Sequence, residues 1–168
     1  MRPTPGDLSS SELPETGVII GCGNVIEQDG LYLLVKESKR SARSRFNLPA
    51  GKPEVGESVM EAAEREAEEE SGLQVRVDHL VGVYQCVRTS EGFSVVNFVF
   101  ASTVIGGAIR VTATHPEVKY FTRDEIRELG RRRLLRGSHI ELAVEAHLRG
   151  VRMPVDLVRI VPASPLPE

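Results

Sequence analysis

The segment from Ser58 to Gly72 constrains the fold most, because it carries the signals for both ends of a helix. Ser58 is followed three residues later by Glu61, the pattern of a capping box, and Gly72 suits the left-handed conformation that ends many helices. The spacing predicts a helix over 59–71. Its apolar residues form one narrow stripe that must pack against another layer, and they are Val59, Met60, Ala62, Ala63 and Ala67.

Three carboxylates of this helix lie on or beside the apolar stripe. With about 100° between successive residues, Glu69 and Glu70 fall roughly 60° and 40° to either side of Glu66, which itself lies in the stripe. The remaining acids of the helix fall on the opposite side, where water can solvate them, and they are Glu61, Glu64 and Glu68.

Carboxylates on the packing side of a helix need a positive partner. Burying them ionised and unpaired costs several kcal/mol each, and Arg65 is the only cation in the helix. A divalent cation would neutralise the cluster, and oxygen ligands without His or Cys favour Mg²⁺ or Mn²⁺ over zinc. From the helix alone, an acidic face that is solvated and supported by salt bridges is the alternative.

Length and composition indicate one soluble domain. The chain has 168 residues, with 40% hydrophobic and 27% charged residues. We expect the domain at 17–161, between proline-rich flexible tails at 1–16 and 162–168. No apolar run reaches the roughly 18 residues of a membrane span, and the start does not resemble a signal peptide, so we expect a cytoplasmic protein with no membrane partner. Cys22 and Cys86 are expected to be buried, reduced thiols.

The sequence predicts strands on both sides of this helix and two further helices after them. Asp29-Gly30 predicts a tight hairpin turn between the first two strands. Thr122 with Glu125 and Ser138 with Glu141 predict capping boxes for the second and third helices. The result is an α/β protein with a mixed sheet covered by helices, whose predicted strands are 18–26, 31–36, 73–84, 94–103 and 118–122.

The residues around the acidic helix resemble the Nudix box, G-x5-E-x7-R-E-U-x-E-E-x-G-U, where U is a bulky aliphatic residue. Gly51 is followed after five residues by Glu57, and after seven more by the run from Arg65 to Leu73. Every fixed letter matches, and Ala67 at the first U position is the one departure. Residues 46–51 and 115–122 are similar to the segments that flank the box in this family.

The resemblance to Nudix hydrolases implies an α/β/α sandwich with a mixed β-sheet between helices, and metal-dependent hydrolysis of a phosphoanhydride bond in a nucleoside diphosphate linked to another moiety. By position in the box, the metal ligands are Glu66, Glu69, Glu70 and the carbonyl of Gly51. We assign Arg65 to orienting the site, through pairing with Glu57 or Glu69. These predictions require Mg²⁺ or Mn²⁺ as cofactor.

The general base and the substrate contacts are less closely defined by the sequence. The base is a choice between Glu66 on the helix and Glu117 outside it, with His115 a lesser candidate. Basic residues before the box could contact substrate phosphates, and the predicted substrate-binding residues are Arg43, Arg45, Phe46 and Lys52.

Two other functions compete with hydrolysis of a small nucleotide-like substrate. One is a non-catalytic Nudix-like nucleotide-binding or regulatory module, although such a module would not need the repelling carboxylates. The other is messenger-RNA cap removal, which normally requires an additional RNA-binding region. The net charge of −3 and the lack of aromatic residues around Arg131–Arg133 do not favour nucleic acid as a partner. The sequence leaves open a homodimer and the identity of the substrate.

Overall fold

A computed structural model of the protein describes residues 17–38, 44–88 and 92–161. The tails predicted for 1–16 and 162–168 lie outside these ranges, as does Arg43 of the basic segment. The described strands are β1 (Gly17–Val25), β2 (Glu27–Gln28), β3 (Leu31–Lys36), β4 (Phe46–Asn47), β5 (Ala50–Gly51), β6 (Leu73–Arg88), β7 (Phe93–Gly107) and β8 (Glu117–Thr122). The helices are α1 (Val59–Ser71), α2 (Arg123–Arg131) and α3 (His139–Leu148), followed by a 3-10 turn at Val155–Leu157.

The strands form two sheets. The larger has the order β5-β1-β7-β6 and is mixed, because β1 and β7 run parallel while the other neighbours are antiparallel. In the smaller sheet, β3 pairs with β2, β4 and β8, always antiparallel. The smaller sheet contains chain segments from before and after the box. β4 precedes the box, and β8 follows the loop that contains His115.

The predicted hairpin forms over a shorter length than expected. Asp29 and Gly30 have φ of 53° and 80°, as a tight hairpin turn requires, and Glu27 pairs with Tyr32. The prediction that the whole of 18–26 pairs with 31–36 was wrong, because β1 belongs to the larger sheet. The chain passes from one sheet to the other at Ile26, which is fully buried.

The side chains of β3 show the layers of the sandwich directly. Tyr32 and Leu34 belong to a core cluster that includes α2 and α3 residues, among them Ile126 and Ile140. The alternate residues, Leu33 and Val35, pack with Ala67 of α1, as the two-residue period of a strand requires. The sheets therefore lie between α1 on one face and α2 with α3 on the other, which confirms the predicted α/β/α sandwich.

Two of the three predicted capping boxes form. In α1 the Glu61 carboxylate accepts from the backbone N–H of Ser58 at 2.8 Å, and the Ser58 hydroxyl accepts from that of Glu61 at 3.1 Å. Thr122 and Glu125 form the same arrangement in α2. The box predicted at Ser138 was wrong, because this residue already has helical dihedral angles (φ −66°, ψ −19°), whereas a capping residue needs an extended conformation.

No helix in the described part of the chain is both long and apolar enough to cross a bilayer. The two cysteines are free. Cys22 is buried as expected, and burial together with the nearby Glu66 carboxylate raises the pKa of its thiol to about 12. Cys86 differs from the expectation, since it is only half-buried and lines a surface cleft.

Candidate active site

The site lies where α1 meets β5. Alanines fill the packing face of the helix and are completely buried, so the helix axis approaches the sheet closely. Gly51 of β5 lies directly against the Glu66 carboxylate, and a Cβ at this position would overlap it. Glycine permits this close approach, whereas any side chain here would require the Glu66 carboxylate to move from its present position, where it accepts from Arg65.

Arg65 connects the acidic residues of the box. Its Nε and Nη2 atoms donate to the two carboxylate oxygens of Glu57, at 2.9 and 3.0 Å, in the two-pronged geometry that guanidinium groups favour. Nη1 donates to Glu66 at 2.9 Å and lies 3.4 Å from Glu69. Nη2 also donates to the carbonyl of Lys52 at 3.1 Å. The structure thus contains the pairing required by the orienting role assigned to Arg65.

The box carboxylates differ strongly in their surroundings. The Glu69 side chain is 61% exposed, whereas Glu66 is 15% exposed. Hydrogen bonds from Arg65 lower the pKa of Glu57. Burial raises the pKa of Glu66, and the hydrogen bond from Arg65 opposes the effect only in part. The negative charge of Glu66 is therefore not fully balanced by the protein.

Glu70 is held from two sides by groups outside the helix. Its Oε2 accepts from the backbone N–H of Ala50 in β5 at 2.9 Å, and its Oε1 lies 3.0 Å from Nε2 of His115. The side chain is only 13% exposed, and burial raises the pKa of its carboxyl, with His115 acting in the opposite direction.

The donor set fits a hard divalent cation by its chemistry. Within the described ranges, no three His, Cys, Asp or Glu side chains surround one point as ready metal ligands. Arg65 donates to Glu66, and Nε2 of His115 lies 3.0 Å from Glu70. Glu66 and Glu70 are nonetheless mostly buried, and their pKa values are raised. Oxygen atoms are the donors that Mg²⁺ and Mn²⁺ prefer. The carbonyl of Gly51, which is also a predicted ligand, accepts a hydrogen bond from the Cys22 thiol at 3.5 Å.

The acids on the other side of α1 have structural partners instead of being merely solvated. Glu61 completes the capping box. Glu64 is half-buried and accepts from the backbone N–H of Val77 at 2.8 Å, beside an irregularity in the β6–β7 pairing. Glu68 is exposed and accepts from Gln74 at 3.0 Å. Glu64 is therefore part of the α1–β6 packing, which a helical projection alone does not reveal.

A cleft of about 650 Å³ opens beside this site. Ala50, Gly51 and Lys52 form its edge next to the box carboxylates. Arg136 enters it from the segment before α3 and lies 3.5 Å from Glu37. The cleft walls combine apolar and polar side chains, which suits an organic moiety with a few hydrogen-bonding groups, and they include Ile19, Val95, Asn97, Cys86 and His139.

The predicted substrate-binding residues lie in different environments. Lys52 is exposed at the edge of the cleft. Phe46 is instead a core residue, 6% exposed, whose ring contacts Phe121 with centroids 5.0 Å apart, so it offers little free surface for stacking on a base. The carbonyl of Arg45 accepts from the backbone N–H of Glu37 at 2.9 Å. Arg43 lies outside the described residues.

Glu117, the candidate base outside the box, is held by two lysines. Its carboxylate oxygens lie 3.1 Å from Nζ of Lys36 and 2.6 Å from Nζ of Lys119. Hydrogen bonds from both lysines lower the pKa of its carboxyl. Both ammonium groups also lie over the Phe46 ring, so Glu117 belongs to a charged cluster at the start of β8.

The contact between His115 and Glu70 was not foreseen from the sequence. His115 lies in the loop between β7 and β8, and its signal in the sequence was its position as the first residue of 115–122, the segment similar to one that flanks the box in this family. A contact across 45 positions of sequence depends on how β8 pairs with β3, and a single sequence does not specify that pairing.

The fold is an α/β/α sandwich in which a carboxylate of the box helix, α1, lies against Gly51 of β5. This combination defines a class of domain. Residues 16–140 match the family model described as the NUDIX domain, and the chain therefore belongs to the NUDIX family. A NUDIX hydrolase structure from Nitrosomonas europaea superimposes with a TM-score of 0.77 at 30% identity, over 85% of this chain and 97% of that one.

Two relatives are named for their activities. An ADP-ribose pyrophosphatase of Methanocaldococcus jannaschii is 34% identical over 110 residues, which are 66% of this chain and 65% of the relative. The 8-oxo-dGDP phosphatase NUDT18 of Homo sapiens is 40% identical over 86 residues, 51% of this chain and 25% of the relative. The chain thus spans just under two thirds of the first relative and a quarter of the second.

Proposed function

We propose that this protein is a metal-dependent pyrophosphohydrolase that cleaves a phosphoanhydride bond in a nucleoside diphosphate linked to another moiety. The observation that carries the proposal is the placement of two mostly buried carboxylates, Glu66 and Glu70, against β5 beside an open cleft. Membership of the NUDIX family and the activities of the two relatives support it.

In the proposed site, Glu66, Glu69 and Glu70 would hold Mg²⁺ or Mn²⁺, together with the carbonyl of Gly51. The cation supplies charge neutralisation for phosphate oxygens as they gain negative charge during cleavage. Arg65 keeps Glu66 in place by the 2.9 Å hydrogen bond. A fixed geometry of this kind lowers the cost of reorganisation when the charge develops.

The contacts of Glu66 and Glu117 distinguish these two candidates for the general base. Glu117 is engaged by two lysines that lower the pKa of its carboxyl, which makes it a weaker proton acceptor. Glu66 lies in the site itself, and burial raises the pKa of its carboxyl. We therefore assign acceptance of the water proton to Glu66 in preference to Glu117.

Replacing Glu117 by Gln is accordingly expected to leave kcat at saturating metal within about threefold of the unmodified enzyme, far from the 10²–10⁴-fold loss typical of a missing base. The acid limb of the pH–rate profile should keep its position. A loss of kcat that persists at saturating metal, together with a flattened acid limb, would assign the base to Glu117 instead.

We further propose that Lys52 and Arg136, which both line the cleft, contact the substrate. Lys52 is adjacent to the Gly51 carbonyl, where a diphosphate would lie. Arg136 also lines the cleft and lies 3.5 Å from Glu37. The volume of about 650 Å³ is within the range of sites that hold small organic ligands.

A substrate panel tests the proposal. ADP-ribose and 8-oxo-dGDP, named by the relatives, should be assayed with Mg²⁺ beside a dinucleoside polyphosphate, with AMP as a control that contains no anhydride bond. We expect cleavage at the diphosphate of at least one substrate and no reaction with AMP. Tight binding of these nucleotides without any product would instead favour a non-catalytic regulatory module.

A further inference from the structure

The loop between β7 and β8 brings a histidine onto a box carboxylate from outside the helix. His115 is 8% exposed, and its Nε2 lies 3.0 Å from Oε1 of Glu70. A carboxylate at neutral pH only accepts hydrogen bonds, so Nε2 must carry the proton and donate it. The imidazole therefore fixes one oxygen of Glu70 from the side opposite Ala50.

The surroundings of His115 stabilise this arrangement. Nδ1 lies 3.3 Å from the hydroxyl of Thr114, which can donate to it and so keep the ring proton on Nε2. The backbone N–H of His115 donates to the hydroxyl of Thr112 at 2.9 Å, and the carbonyl of Thr114 accepts from the backbone N–H of Ser38 at 2.9 Å. The loop is thus attached to the end of β3 and holds the ring in place.

The two contacts on Glu70 leave acceptor capacity on its carboxylate. Each carboxylate oxygen has two lone pairs, and the N–H of Ala50 and the ring of His115 each use one. Both hydrogen bonds restrict rotation of the carboxylate while a lone pair on each oxygen stays available. Partners of this kind orient metal-ligating side chains, and their loss typically weakens metal binding by 10–100-fold.

We propose that His115 is a positioning residue that holds Glu70 in the orientation required for binding the divalent cation. This inference rests on the proposed function, because it assigns Glu70 as a ligand. It differs from the role of general base considered for His115 above, since Nε2 is engaged with Glu70 and Nδ1 is within hydrogen-bonding distance of Thr114.

A matched pair of variants separates the hydrogen bond from the mere presence of a polar side chain. In His115→Gln the amide nitrogen can occupy the place of Nε2, whereas in His115→Asn it reaches only as far as Nδ1. Mn²⁺ binding should be measured without substrate, by electron paramagnetic resonance titration at fixed pH, and metal-free melting temperatures should verify that both variants fold.

We expect His115→Asn to weaken Mn²⁺ binding by about 10-fold or more and His115→Gln to stay within about threefold of the unmodified protein. Equal affinity of the Asn variant and the unmodified protein would overturn the positioning role while leaving the proposed function intact, as would equal weakening in both variants. If the unmodified protein binds no Mn²⁺ at millimolar concentration, the proposed function fails, and the inference fails with it.

Discussion

Replacing Glu70 by Gln is expected to lower kcat by roughly 10²-fold or more, the scale of losing one group that stabilises developing charge, while the protein stays folded. The amide has nearly the same shape, and its oxygen can still accept from the backbone N–H of Ala50, which in the unmodified protein donates to Oε2 at 2.9 Å. The amide nitrogen then faces Nε2 of His115 and can donate to it once the ring proton moves to Nδ1. The negative charge that would hold the cation is lost. We expect the same direction of change for Glu66→Gln and Glu69→Gln.

Glu68→Gln provides the matched control, because it removes the same charge from the same helix. The Glu68 side chain is exposed, and it accepts a hydrogen bond from the exposed Gln74. Its kcat should stay within about twofold of the unmodified enzyme, as expected for a surface substitution. The measurement is kcat at saturating Mg²⁺ together with the melting temperature of each variant. Equal losses in Glu70→Gln and Glu68→Gln would contradict the assignment of the two helix faces.

The helix of the box could be predicted nearly to the residue because its signals are local. The capping box at Ser58 and the left-handed Gly72 act over a few positions of sequence, and both form as expected. The angular positions of Glu66 and Glu70 follow from helix geometry alone. Their burial then follows from the small alanines, which bring this face of the helix against β5.

The contacts that complete the site could not be predicted, because they join distant parts of the chain. The departure of β1 from the hairpin depends on parallel pairing with β7, about 75 residues later. The placement of His115 on Glu70 depends on the register of β8 against β3. Neither pairing leaves a local pattern in a single sequence.

Two further residues differ from the simplest sequence interpretation for the same reason. A helical projection places Glu64 on the side of α1 away from the apolar stripe. In the structure, however, the backbone N–H of Val77 in β6 donates to the Glu64 carboxylate at 2.8 Å. Phe46 was one of the predicted substrate-binding residues, but packing against Phe121 buries it. In both cases a residue of another strand determines the environment of the side chain: Val77 of β6 for Glu64 and Phe121 of β8 for Phe46.

Removing divalent cations is expected to abolish the activity without unfolding the protein. Among the described residues, Arg65 is the cation that contacts Glu66, and the ring that contacts Glu70 is the neutral imidazole of His115, so the charges of Glu66 and Glu70 are incompletely balanced. The capped helix and its alanine face do not depend on metal. Binding to the folded state should raise its stability by about 2.7 kcal/mol at a hundredfold excess of metal over Kd, measured as a higher melting temperature.

The most direct test of the central claim is product formation by one enzyme sample taken through chelation and metal restoration. Hydrolysis of the best substrate in the panel should be followed by phosphorus NMR, first in excess chelator and then after adding Mg²⁺ or Mn²⁺ beyond the chelator. We expect no anhydride cleavage in chelator and recovery of the original rate after metal is added. Full turnover in chelator, with metal content verified below the enzyme concentration, would contradict it.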